Sequence, residues 1–124
     1  MNILFRNANI ITHCERRLCD LLVQGEKISA IGNDLSADGA DVVDCRGLNL
    51  LPGGVDPHAH LDLAMYGTVS SDDHYTGHRA AAFGGTTTVL AFPSQSRGGS
   101  LRGSIDDWYS KAEGNAAVDY SCHV

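Results

Sequence analysis

The sequence predicts an α/β chain in two parts: a strand-rich segment to about residue 51 and a strand–helix alternation from residue 52 onward. Three observations carry this. Short runs of Ile, Leu and Val, punctuated by Gly-containing turns, fill the first part. After Pro52, apolar β-branched runs alternate with segments of helical period, which is the rhythm of βαβ units. Gly84-Gly85 and Gly114-Asn115 then supply a stop after each helical segment. The rhythm fits the start of a parallel barrel and fits an open doubly wound sheet as well.

Taken in order, Ile3 to Thr12 reads as extended, and Leu21-Leu22-Val23 and Lys27 to Ile31 flank Gln24-Gly25-Glu26 as a hairpin with glycine at positive φ. Val42 to Cys45 and Leu48 to Leu51 follow, and by themselves these segments could form a small meander. Gly54 to Leu61 is the first strand of the second part. Ser70 or Ser71 is the expected N-cap, with Asp72 and Asp73 in the first turn of a helix that runs to Phe83. Thr86 to Phe92 has the composition of a fully buried parallel strand closed by Pro93. Leu101, Ile105, Trp108 and Ala112 recur at four, three and four, so a second helix is expected to bury that face. Ala116 to Val124 begins a third strand.

Hydrophobic residues make up 43% of the 124, an ordinary globular proportion, and the net charge is −6. With no basic cluster beyond Arg16-Arg17, nucleic acid and anionic membrane are excluded as expected partners. No run is long enough to span a bilayer and the amino terminus lacks a signal peptide's apolar core, so a cytoplasmic location is expected. Cys14, Cys19, Cys45 and Cys122 lack finger spacing; reduced structural thiols are expected, with Cys14 and Cys19 in a loop.

The most informative stretch is Gly53-Gly54-Val55-Asp56-Pro57-His58-Ala59-His60-Leu61-Asp62. On a strand, His58 and His60 share a face one period apart and can grip one metal ion; a hydrogen-bonded pair near a turn is the plainer alternative. Asp56 has the same parity, either supporting the metal site from behind or satisfying local backbone. His74 and His78, four apart on a helix, are expected to face solvent. His123 is expected to be a packed or hydrogen-bonded histidine. The serines at 94, 96 and 100 have no partner base, and neither Gly-Gly pair has a phosphate-loop context.

This motif, with Asp20-Leu21-Leu22-Val23, Gly67-Thr68-Val69, Thr76-Gly77-x-Arg79-Ala80-Ala81-Ala82-Phe83-Gly84-Gly85-Thr86-Thr87-Thr88, Trp108-Tyr109 and Val118-Asp119-Tyr120-Ser121-x-His123, resembles the dihydropyrimidinase/D-hydantoinase family of the amidohydrolase superfamily. The resemblance covers almost the whole chain. It implies the start of a metal-dependent (β/α)₈ TIM barrel at residues 52–124, preceded at residues 1–51 by strands of a small β-sandwich domain. A complete barrel takes roughly 250 residues, so the chain is expected to be an amino-terminal fragment, truncated in about the third barrel strand.

The resemblance also assigns His58 and His60 as ligands in a site for two divalent metals, zinc by expectation; the other ligands and the catalytic groups lie beyond residue 124. Leu63, Met65 and Tyr66 fall in the loop that helps form the family's substrate pocket, although Ala64-Met65-Tyr66 departs from the common Pro-Phe-Gly. The implied function is hydrolysis of a small cyclic ureide or amide, a 5,6-dihydropyrimidine or 5-substituted hydantoin, to an N-carbamoyl amino acid. A homotetramer is implied for the full-length protein, and the fragment alone is expected to be inactive. The alternatives are a non-catalytic relative serving assembly, against which the presence of both histidines counts, and a related cyclic amidohydrolase such as an allantoinase.

Overall fold

Apolar alternation in the first fifty residues builds one five-stranded sheet. In the computed structural model, which describes residues 1–124, Met1–Pro52 and Gly53–Val124 are two compact units. The first contains β1 (Asn2–Ile11), β2 (Arg16–Gln24), β3 (Lys27–Gly32), β4 (Asp41–Asp44) and β5 (Asn49–Leu50). The order is β3-β2-β1-β4, with β5 also on β1. The β2–β3 hairpin turns at Gly25, φ 63°, as its sequence predicts. It is not a simple meander: β4 and β5 both pair in parallel with β1, whose second edge is left open once β2 has taken the first.

Ala8, Ile10, Cys19, Leu21 and Cys45 form the core of this unit, with Phe5, Val23 and Leu50 packed against it. Cys19 is therefore not in a loop. β2 starts five residues earlier than its apolar run and sets Cys19 opposite Ala8. Cys14 alone of that pair is in the turn, exposed.

On β2's other face sits Asp20, only 5% exposed. Its carboxylate accepts from the backbone N–H of Asn7 at 2.9 Å and of Leu35 at 3.2 Å, and Arg6 lies 3.9 Å away. Asn7 has φ 59° at the register shift between Phe5 and Ala8. A bulged N–H has no ladder partner, and Asp20 supplies one.

The second unit contains β6 (Gly54–Ala59), β7 (Ala64–Met65), β8 (Thr68–Val69), α1 (His74–Phe83), β9 (Thr86–Ala91), α2 (Leu101–Ala112) and β10 (Asp119–Cys122). β6, β9 and β10 are parallel, with β9 in the centre. A core of Ala91, Trp108 and Ala112 joins α2 to the sheet, with Ala59, Tyr120 and Cys122 around it. Trp108 and Ala112 are buried as the helical period requires, whereas Leu101, in the first turn, is half exposed. Gly53 is a packing glycine: a Cβ there would run into the Thr87 side chain.

Two expectations for α1 are corrected. Its N-cap is Asp73, not Ser70 or Ser71. Asp73 accepts from the Thr76 N–H at 2.8 Å and Thr76 Oγ1 accepts from the Asp73 N–H at 3.2 Å, a reciprocal capping box. Ser70 is occupied elsewhere, accepting from Leu63 N at 2.9 Å and donating to the Asp72 carbonyl at 3.1 Å. This ties the β7–β8 hairpin to the approach of the helix.

The second correction is that His74 and His78 do not face solvent: they are 2% and 0% exposed. Their rings meet through Nδ1 of His74 and Nε2 of His78 at 3.4 Å. Trp108 packs edge to face with His74, and Tyr120 with His78, at 5.0 and 5.7 Å between centroids. The remaining ring nitrogens, Nε2 of His74 and Nδ1 of His78, are buried without a hydrogen-bond partner.

Candidate metal centre

β6 ends at Ala59, two residues before the expected Leu61, so His58 is in the strand and His60 one step past it. Both rings are exposed and stand edge to face, with centroids 5.1 Å apart. Phe92, which follows the last residue of β9, lies 4.4 Å from the His58 ring and 5.7 Å from that of His60. His123, directly after β10, also stacks on Phe92, at 4.8 Å and 25°. Strand parity explains the grouping: these side chains leave the carboxyl ends of three neighbouring parallel strands on one face.

The backbone beneath His58 is held by side chains. Asp56 Oδ1 accepts from the His58 N–H at 3.0 Å, and Nε2 of His123 is 2.9 Å from the Pro57 carbonyl oxygen. The β6–β9 pairing skips between Asp56 and Ala59 at this point. Phe92 and His123 were not singled out as site residues by the sequence, although their place at strand ends, in register through Cys122 opposite Ala91, is a usable signal.

Among the pocket candidates, Leu63 is buried at 8% and lines a cavity of about 210 Å³ with Phe92, Pro93, Ser94 and Trp108. Met65 and Tyr66 do not line it. They sit in the β7–β8 hairpin, with Tyr66 97% exposed and at φ 53° beside Gly67 at φ 79°. Asp62 is paired with Lys111 of α2 at 3.6 Å, and Lys111 also meets Asp107 at 3.4 Å.

Two imidazoles on one face suit a divalent metal of borderline softness such as zinc, and they fill two of its four usual positions. No third His, Cys, Asp or Glu gathers with them into a set able to hold an ion. The donors present thus fit part of a metal site.

The D-hydantoinase of Geobacillus stearothermophilus is 44% identical over all 124 residues, and the dihydropyrimidinase of Dictyostelium discoideum is 38% identical over 98% of the chain. Among solved structures, dihydropyrimidinase from Brevibacillus agri superposes over 99% of the chain with a TM-score of 0.96 and 48% identity. A dihydroorotase superposes with a TM-score of 0.64 at 19% identity, a likeness of fold alone. No protein-family model matches the chain. The chain spans about a quarter of the length of these relatives: 26% and 24% of the two sequences and 27% of the Brevibacillus structure.

Fold and sequence together match the chain to the opening quarter of hydantoinase-type proteins. Within that class, the chain belongs to the dihydropyrimidinase/D-hydantoinase family. No helix is long and apolar enough to cross a membrane.

Proposed function

We propose that this chain is the metal-binding beginning of a cyclic amidase, with residues 1–51 contributing strands to a β-sandwich and residues 52–124 opening a (β/α)₈ barrel. The complete protein would hydrolyse 5,6-dihydropyrimidines or 5-substituted hydantoins to N-carbamoyl amino acids, as a cytoplasmic homotetramer holding two divalent metals, zinc in the first instance. One observation carries the reading. His58 and His60 stand together at the carboxyl end of the first of three parallel strands, where α/β barrels keep their working groups, in a chain 44% identical to a D-hydantoinase.

The role of the histidines is to bind. Each must be neutral and present a ring nitrogen lone pair. When bound, the metals supply polarisation of the ring carbonyl and activation of water. Phe92 packs on both imidazoles and limits their rotation, and Leu63 gives the adjoining cavity an apolar wall.

Zinc titration of the 124-residue chain tests this. Wild type is expected to bind one equivalent that is lost in a variant carrying both His58→Ala and His60→Ala. Equal binding by the two proteins would remove the metal reading.

A further inference from the structure

The Pro57–His58 peptide unit is gripped at both polar ends by side chains. Its N–H is accepted by Asp56 Oδ1 at 3.0 Å, and its carbonyl oxygen lies 2.9 Å from His123 Nε2. A carbonyl can only accept, so Nε2 of His123 carries the hydrogen. To make this bond, His123 crosses from β10, on one side of the central strand, to β6 on the other, lying over the Phe92 ring on the way. The pairing of β6 with β9 is interrupted between Asp56 and Ala59, which brackets this peptide. Backbone groups at such a break need other partners, and His123 provides the one for Pro57.

We infer that His123 is a positioning residue for the His58/His60 pair: its Nε2–H bond to the Pro57 carbonyl, with Asp56 on the other end of the same peptide, sets the plane from which the His58 side chain departs. This rests on the metal reading proposed above. A ligand's support is worth about 10- to 100-fold in metal affinity. The clamp acts through backbone, so the lower end applies.

The test is zinc affinity of the 124-residue chain, measured beside hydrogen exchange of the His58 amide and the denaturation midpoint. His123→Leu keeps bulk over Phe92 and removes the donor. His123→Gln places an N–H donor at similar reach, whereas His123→Asn falls short. The expected result is a loss of about tenfold in affinity and faster His58 exchange in the Leu and Asn variants, with Gln within about twofold of wild type. A purely structural role would track the midpoint and would not be rescued by Gln. Wild-type affinity in both His123→Leu and His123→Asn would overturn the positioning role alone. Wild-type protein whose zinc binding is indifferent to loss of His58 and His60 would overturn the metal reading, and the positioning role with it.

Discussion

Asp20 shows how one side chain can decide a local backbone path. The Asn7 bulge turns an N–H out of the ladder at positive φ, and the buried Asp20 carboxylate takes it while also accepting from Leu35. Removing the acceptor leaves two backbone donors without a partner in a half-buried setting, where each hydrogen bond to a charged group is worth about 1.5–3 kcal/mol. Asp20→Ala is therefore expected to lower the unfolding free energy by about 3 kcal/mol, with Asp20→Asn costing less because its amide oxygen still accepts. Urea denaturation of the chain checks this, and an unchanged midpoint for the alanine variant would refute it. Residues of this kind were only partly legible. Asp20 was visible as part of the Asp20-Leu21-Leu22-Val23 run, but its partner Asn7 depends on a bulge that no local pattern signals. His58 and His60 were legible because their grouping needs nothing beyond strand parity.

At the scale of elements, the strands and helices followed from periodicity, and the errors lie where tertiary contacts intervene. α1 carries two histidines that helical spacing alone leaves undecided between faces. Only the packing of Trp108 from α2 and Tyr120 from β10 makes that side of the helix an interior. Burial lowers the proton affinity of both imidazoles. His78 adds repulsion for His74, Lys111 acts in the same sense, and the carboxylates of Asp62 and Asp73 oppose it. The folded chain thus holds the pair neutral, while the unfolded chain takes up protons at the ordinary histidine value of 6.5. Since the unfolded state binds more protons below that point, stability is complete above about pH 6.5 and declines as the pH falls through it toward the lowered folded values. Urea midpoints are expected to drop between pH 8 and pH 5.5, and the drop should shrink in a variant carrying His74→Phe and His78→Gln. Equal midpoints at the two pH values in the wild type would refute this. The capping carboxylate of Asp73 is also held below its usual 3.8 by its bonds to Thr76, so its contribution is lost in a separate window at lower pH.

For the molecule as a whole, the strand–helix rhythm of residues 52–124 conveyed a parallel sheet with helices packed on it, because each βα unit buries its own apolar stripe. It did not convey the parallel addition of β4 and β5 to β1, which depends on which sheet edge is free rather than on any local run. The same whole-molecule view sets what the chain can do chemically. Hydrolysis of a cyclic amide needs an activated water, a polarised carbonyl and a proton donor for the departing nitrogen. The 124 residues bring the imidazoles of His58, His60 and His123 to the strand ends, and no three His, Cys, Asp or Glu side chains gather there into a set able to hold an ion. The carboxylates that flank the pair in sequence are already engaged: Asp56 with the His58 N–H and Asp62 with Lys111. The isolated chain saturated with zinc is accordingly expected to bind metal without turning over dihydrouracil or hydantoin, as followed by release of the N-carbamoyl product. Chelator-sensitive turnover by the 124-residue chain would show that the donors it carries suffice, and would shift the general acid to a side chain within it.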